Sequence, residues 1–124
     1  MKNNVLVFII DDDLIHNEVH ELIFKKSFPE INVRTFTNCK DALKAIDQLD
    51  IPDIIFLDMV MPEEQETVFL DEYKRRRLAA DIYLMSSTPY LTDQSLITNY
   101  PAVKDFVAKP LLENKIRPLI NHFA

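Results

Sequence analysis

Residues 5–13 read VLVFIIDDD, six apolar residues followed at once by three acids. An apolar run without polar alternation is typical of a strand that is buried on both faces of a parallel sheet. Four later runs have the same character, and several of their residues are β-branched or aromatic. They are Ile31–Phe36, Ile54–Leu57, Ile82–Met85 and Phe106–Ala108.

Between these runs, apolar residues recur at helical spacing. The stripes are Ile15, Val19, Leu22 and Ile23; Ala42, Leu43, Ala45, Ile46 and Leu49; Val68, Phe69 and Tyr73; and Leu112, Ile116, Leu119, Ile120 and Phe123. A further helix over Leu91–Tyr100 is expected, although it contains several poor helix formers. Strand and helix therefore alternate five times, which predicts an α/β, doubly wound, five-stranded parallel sheet.

Composition narrows the class of protein. The chain of 124 residues suits one domain, residues 1–124, with no repeat or linker and with a last helix that runs almost to the final residue. A net charge of −6 argues against direct nucleic-acid binding, and we interpret the basic run at 74–77 as the solvated end of a helix. The first apolar run is too short to span a membrane, and one cysteine, Cys39, permits no intrachain disulfide. We therefore expect a cytoplasmic protein.

Polar side chains follow four of the five predicted strands. They are Asp11-Asp12-Asp13, Asp58, Ser86-Ser87-Thr88 and Lys109-Pro110. Ligands of open α/β sheets bind beyond the carboxyl ends of the strands, so these groups should meet there. The chain has no glycine, which excludes every glycine-rich phosphate loop.

Those residue types suit phosphoryl transfer. Mg²⁺ prefers oxygen ligands and would relieve the repulsion between carboxylates, with Asp11 and Asp12 helping to hold it. Asp58 could act as the nucleophile and form an aspartyl phosphate. Lys109 would pair with one phosphate oxygen and Ser86 would donate a hydrogen bond to another.

The segments IIDDD, FLDMVMP, LMSS and DFVAKP, in this order, resemble the marks of the response-regulator receiver family of two-component signalling, including its chemotaxis-type single-domain members. The resemblance implies a flavodoxin-like sheet of order 2-1-3-4-5. It also implies Asp58 as phosphoacceptor, and Mg²⁺ held by Asp11, Asp12, Asp58 and the backbone carbonyl of Val60. Ser86 and Phe106 would form the switch, and Lys109 the phosphate contact, with a cis bond to Pro110.

The same resemblance implies partners. A sensor histidine kinase or phosphotransfer protein would donate the phosphoryl group, and a downstream protein would be the target. A homodimer through the fourth helix, fifth strand and last helix is a further expectation. The chain would be a signalling domain that catalyses only its own phosphorylation and dephosphorylation.

Three features depart from the family pattern. The loop after Met61-Pro62 has no glycine, and Glu66 stands about where that glycine would be. The switch hydroxyl is Ser86 where Thr is commoner. Pro118 lies within the last helix pattern, so we expect that helix to be kinked or shortened.

Other interpretations of these residues remain open. Asp13 could be a third metal ligand, but an N-cap of the first helix is favoured. Ser86 could be a plain strand-end hydroxyl and Phe106 a plain core residue. His16 and His20 show no metal-ligand grouping and are expected to face water.

Two other functions compete with the receiver. One is a degenerate receiver that binds partners without phosphorylation, which the missing loop glycine would suit. The other is a haloacid-dehalogenase-type phosphatase that uses Asp11 and Asp13. It would need a further acidic pair after Lys109, where the chain has only Glu113.

Overall fold

The computed structural model describes residues 5–59, 61–87 and 94–121. Its five strands are β1 (Leu6–Ile10), β2 (Asn32–Phe36), β3 (Ile54–Asp58), β4 (Asp81–Ser86) and β5 (Val103–Ala108). Its helices are α1 (Leu14–Ser27), α2 (Cys39–Asp47), α3 (Gln65–Arg76), α4 (Gln94–Asn99) and α5 (Glu113–Ile120), and a 3₁₀ turn covers Pro62–Glu64.

All strand pairs are parallel and the sheet order is β2-β1-β3-β4-β5, so the predicted fold class and strand order are confirmed. The central strands β1 and β3 are the most apolar, and Val7 to Ile10 and Ile54 to Leu57 are fully buried. Alternate residues of these strands enter two separate clusters. Phe8 and Ile10 pack with α2 and α3, whereas Val7 and Ile9 pack with α1 and α5.

Helix α1 is oriented differently from what its apolar spacing suggests. Ile15, Val19 and Leu22 are exposed, whereas Asn17, His20 and Phe24 are buried. Two polar side chains face the core because they satisfy backbone groups there. Asn17 Nδ2 donates to the carbonyls of Asp11 (2.9 Å) and Phe36 (3.2 Å), and His20 Nε2 accepts from the Leu111 N–H (3.0 Å). The expectation that His20 faces water is therefore wrong.

Other element boundaries also differ from the sequence patterns. Helix α2 ends at Asp47, so Leu49 lies beyond it with a φ of 70° and is exposed. Pro118 lies inside α5, which is only eight residues long. Of the predicted helix over residues 91–100, the first three residues lie outside the described part, as does Phe123 of the last stripe. Within the described ranges, no helix combines the length and the apolar character needed to cross a bilayer.

Candidate functional site

The site lies at the edge of the sheet where all five parallel strands end. Asp11 follows β1, Asp58 is the last residue of β3, Ser86 ends β4 and Lys109 follows β5. One carboxylate oxygen each from Asp11, Asp12 and Asp58 lies within 4.8 Å of the others. Asp11 and Asp58 are buried and Asp12 is exposed.

Lys109 lies directly beside these carboxylates. Its Nζ is 2.8 Å from Asp11 Oδ2 and 3.5 Å from Asp58 Oδ2, and only 9% of its side chain is exposed. The surrounding loop fixes its position. The Lys109 N–H donates to the Ser86 carbonyl at 2.9 Å, and the bond to Pro110 is cis, as expected. Lys115 Nζ donates to the Ala108 carbonyl (3.2 Å) and the Pro110 carbonyl (3.3 Å).

The pocket holds three carboxylates, and the single Lys109 ammonium offsets the charge of only one of them. Burial raises the pKa of the Asp11 carboxyl, but the Lys109 ammonium and the Asp13 N–H outweigh burial and hold that pKa below its ordinary value. At 4.8 Å, two carboxylate charges repel by about 3 kcal/mol at an effective dielectric constant near 20. Three carboxylates from three residues form an all-oxygen ligand set, which is the type that Mg²⁺ prefers. Val60, whose backbone carbonyl was assigned to the metal, lies outside the described residues.

Asp13 adopts the geometry of a helix N-cap. Its backbone is extended, and its Oδ1 accepts from the N–H groups of Ile15 (2.9 Å) and His16 (3.2 Å). Its own N–H donates to Asp11 Oδ1 at 2.9 Å. The favoured interpretation of Asp13 as a cap is thus confirmed, and the cap also helps to orient Asp11.

His16 lies at the mouth of the pocket, which the sequence reasoning missed. Its Nδ1 is 3.5 Å from Asp11 Oδ2 and 3.3 Å from Lys109 Nζ, and its Nε2 is 3.5 Å from Asp13 Oδ2. Its side chain is 44% exposed, so the expectation that it faces water holds only in part. The i, i+3 spacing from Asp13 was the signal that could have placed it here, because such residues share a helix face.

Ser86 and Phe106 lie on neighbouring strands. In the register of β4 and β5, Ser86 pairs with Ala108 and Leu84 pairs with Phe106. Positions two apart on a strand share a face, so Phe106 lies on the same side as Ser86 and two residue pairs back from the pocket. Ser86 is buried, and the half-buried Phe106 packs against the cluster that contains Phe8.

The loop after Asp58 forms without glycine. Glu63 (φ 58°) and Glu64 (φ 54°) adopt left-handed conformations, whereas Glu66, at the position expected for glycine, lies within α3. Glu66 Oε2 accepts from the Met61 N–H at 3.2 Å and Gln65 Oε1 accepts from the Cys39 N–H at 3.1 Å. The first hydrogen bond holds Met61 of the loop against the start of α3, and the second joins the start of α3 to the start of α2. Burial, with Glu66 nearby, raises the pKa of the Cys39 thiol to about 12, so this thiol is protonated at neutral pH.

Comparison with known proteins gives one consistent result. The family model described as "Response regulator receiver domain" matches residues 7–121. A curated relative, "Probable C4-dicarboxylate response regulator DctR" of Bacillus subtilis (strain 168), is 25% identical over 117 residues, which cover 94% of this chain and 51% of the relative. The chain thus spans about half the length of the curated relative it matches.

Solved structures share the fold at low identity. A CheY-like receiver domain from Methylobacillus flagellatus superposes with a TM-score of 0.80 at 12% identity, covering 97% of this chain and 98% of that one. The response regulator protein TrrA from Thermotoga maritima, solved in complex with Mg(2+)-BeF, gives a TM-score of 0.73 at 18% identity, covering 97% and 99%.

Proposed function

The chain belongs to the response regulator receiver domain family, and from that premise we propose that it is a phosphoacceptor receiver of a two-component phosphorelay, phosphorylated on Asp58 in a Mg²⁺-dependent reaction. Domains of this family are signalling modules rather than conventional enzymes. They interact with histidine kinases or phosphotransfer proteins. A kinase or phosphotransfer protein is accordingly the proposed donor, the proposed compartment is the cytoplasm, and residues 1–124 are the proposed receiver domain.

The grouping of Asp58 with Lys109 and the acidic pair is the observation that carries this proposal. Lys109 Nζ lies 3.5 Å from Asp58 Oδ2, and one oxygen each of Asp11, Asp12 and Asp58 lies within 4.8 Å of the others. In the transfer, an Asp58 carboxylate oxygen attacks the phosphorus of a phosphohistidine or a small acyl phosphate. The bond from phosphorus to the donor breaks, and the donor keeps that electron pair. The product is a mixed anhydride at Asp58, which stores the phosphoryl group without a change in oxidation state.

The residues around Asp58 each have a proposed task. Asp11, Asp12 and Asp58 would hold Mg²⁺, which when bound neutralises charge on the transferred group. The Lys109 ammonium, now 3.5 Å from Asp58, is close enough to pair with a phosphate oxygen once Asp58 is modified. Asp13 and the hydrogen-bonded loop around Lys109 keep these groups in place.

A signal follows only if the phosphoryl group favours one conformation over another. We assign this role to Ser86, whose hydroxyl would be drawn toward a phosphate oxygen, and to Phe106, which would fill the space that Ser86 vacates. The surface made by α4, β5 and α5 would then change for a partner or for a second copy. The register that places Phe106 two residue pairs behind Ser86 on the same side of the sheet supports this assignment.

The comparisons give no support to the two competing functions. In a phosphatase of the haloacid-dehalogenase type, Asp13 would be needed as a free acid, whereas its carboxylate here accepts from two backbone N–H groups.

Incubation with acetyl phosphate, followed by intact-mass measurement, tests the proposal. With Mg²⁺ the wild type should gain one phosphoryl group, and without Mg²⁺ it should gain none. Asp58→Asn should gain none even with Mg²⁺, because an amide is a poor nucleophile. Lys109→Ala should weaken the conformational response more than Mg²⁺ binding, since the lysine pairs with phosphate and not with the cation. Labelling of Asp58→Asn at the wild-type rate would refute the assignment, and turnover of p-nitrophenyl phosphate would favour the phosphatase.

A further inference from the structure

Helix α1 carries an apolar surface that faces away from the domain. Leu14, Ile15, Val19 and Leu22 have 61%, 69%, 42% and 66% of their surface exposed. Among the described residues, these are four of the eight large apolar residues with such exposure, and they lie within a helix of 14 residues. The buried residues of this helix, Asn17, His20 and Phe24, occupy its opposite face. Contact with the rest of the domain therefore does not account for the apolar side chains.

The exposed residues have the spacing of a helix-pairing seam. Ile15, Val19 and Leu22 follow i, i+4, i+7, which is the repeat of the core positions in a two-helix coiled coil. Lys26 takes the next position of the same seam and is also exposed. We call the four residues Ile15, Val19, Leu22 and Lys26 the α1 seam.

Charge along α1 is divided between its two ends. The exposed acids Asp12, Asp13 and Glu18 lie before or within its first half, the exposed Glu21 lies near its middle, and the exposed Lys25 and Lys26 lie in its last turn. Within the described part of the chain, Glu18 and Lys25 make no ion pair or hydrogen bond. A second α1 in the antiparallel direction would place the acidic end of each helix against the basic end of the other. A parallel arrangement would place like charges together.

The antiparallel register follows from the seam. Val19 of one copy would pack against Leu22 of the other, and Ile15 against Lys26. In an antiparallel pair the core positions of the two helices meet in reverse order. Glu18 and Lys25 flank the seam on the same side, so each Glu18 would face a Lys25 of the second copy. A two-fold axis makes this contact twice, as expected of an isologous interface.

From this self-complementarity we propose that the α1 seam binds a second copy of this chain, giving an antiparallel α1–α1 homodimer. The helix is about 21 Å long at 1.5 Å per residue, so the contact is smaller than a standard interface of about 800 Å² per partner. The dimer is therefore weak, with a Kd of roughly 0.1–1 mM. It also brings Lys26 of each copy toward the acidic mouth of the other copy's pocket. This surface is distinct from that of α4, β5 and α5.

Sedimentation equilibrium over a concentration range that brackets this Kd is the test, with the unphosphorylated wild-type chain in low salt. Leu22→Glu should raise the Kd more than about tenfold, since two buried leucines are lost. Leu112→Glu, which changes an exposed leucine just before α5, is the matched control and should leave the Kd unchanged. Both positions are exposed, so thermal unfolding should show that both variants remain folded.

A charge exchange tests the orientation of the helices. Glu18→Lys alone and Lys25→Glu alone should each raise the Kd by roughly fivefold, because two surface ion pairs are lost. The double variant should return the Kd to the wild-type value, and high salt should reduce all these differences.

Three results would overturn the proposal. The first is a chain that stays monomeric across the whole concentration range. A chain whose α1 seam binds a helical phosphodonor protein but no second copy gives the same result. The second is a dimer that Leu22→Glu leaves intact. The third is a double charge variant that fails to recover association, which would rule out the antiparallel register.

Discussion

At the scale of single residues, Asp12 and Asp13 are neighbours with different tasks. Asp12 belongs to the group of three carboxylates, whereas the Asp13 carboxylate caps α1.

Asp13→Ala should lower the free energy of unfolding by about 1 kcal/mol, which is usual for a lost N-cap, and change Mg²⁺ affinity little. Asp12→Ala should do the reverse. Calorimetric Mg²⁺ titration and urea unfolding of both variants will check this, with Asp13→Asn as the control that keeps the cap. Equal losses of Mg²⁺ affinity would show that Asp13 is a ligand.

The buried His20 makes the stability of the fold depend on pH. Burial lowers the pKa of His20 from 6.5 to about 4, so below pH 6.5 the unfolded chain binds a proton that the native chain does not. The free energy of unfolding should therefore fall as the pH drops from 6.5 to 4, by up to about 3 kcal/mol from this residue.

His20→Gln is the matched control for that pH dependence. The amide oxygen of glutamine can still accept from the Leu111 N–H, but the side chain does not titrate. Urea unfolding at several pH values should give a flatter profile for the variant than for the wild type. Identical slopes between pH 4 and 6.5 would mean that His20 is protonated in the native state.

The sequence indicated which residues meet at the site, but not how the buried polar residues are satisfied. Asp11, Asp58, Ser86 and Lys109 could be placed together because the ends of parallel strands share an edge. Asn17 and His20 could not be placed, since their partners are backbone groups of Asp11, Phe36 and Leu111. Helical spacing weighs only side-chain polarity, and it cannot detect a distant backbone group that lacks a partner.

At the scale of elements, the loop between β3 and α3 holds backbone strain beside Asp58, the proposed phosphoacceptor. Glu63 and Glu64 are consecutive left-handed residues, a conformation that costs an L-residue about 1–2 kcal/mol. Glu63→Gly should remove part of that cost and raise the free energy of unfolding by about 1 kcal/mol at most, since glycine also gains entropy in the unfolded chain.

The control for this loop separates backbone from charge. Glu63→Ala removes the same carboxylate but keeps a Cβ, so it should give no comparable stabilisation. Urea unfolding without Mg²⁺ is the measurement. Equal stabilisation by both substitutions would mean that repulsion between acids, and not the left-handed backbone, limits this loop.

Element boundaries were harder to predict than element types. The strand runs were found because burial on both faces leaves an unbroken apolar signature. The stripe on α1 predicted a helix correctly but the wrong buried face, because Ile15, Val19 and Leu22 are exposed. An apolar pattern at period 3.6 marks a helix without stating what covers it, whether its own domain or another molecule.

At the scale of the whole molecule, we expect a coupled change from the pocket to β5 and α5. Beryllofluoride with Mg²⁺, as a phosphate mimic, should shift the backbone amide resonances of β5 and α5 in the wild type. Ser86→Ala should bind the mimic but shift these resonances less, because the hydroxyl proposed to link the phosphate to Phe106 is gone. A wild type that binds the mimic while the amides of β5 and α5 stay unchanged would exclude this switch and leave the phosphorylation site standing.

The proposal that Asp58 carries the phosphoryl group has a direct chemical test. Reduction with borohydride after acetyl phosphate treatment converts an aspartyl phosphate to homoserine, and peptide mass mapping then identifies the modified residue. We expect homoserine at position 58 in the Mg²⁺-containing sample and unmodified Asp11, Asp12 and Asp13. Homoserine at one of those three positions, or at none while Mg²⁺ is bound, would contradict it.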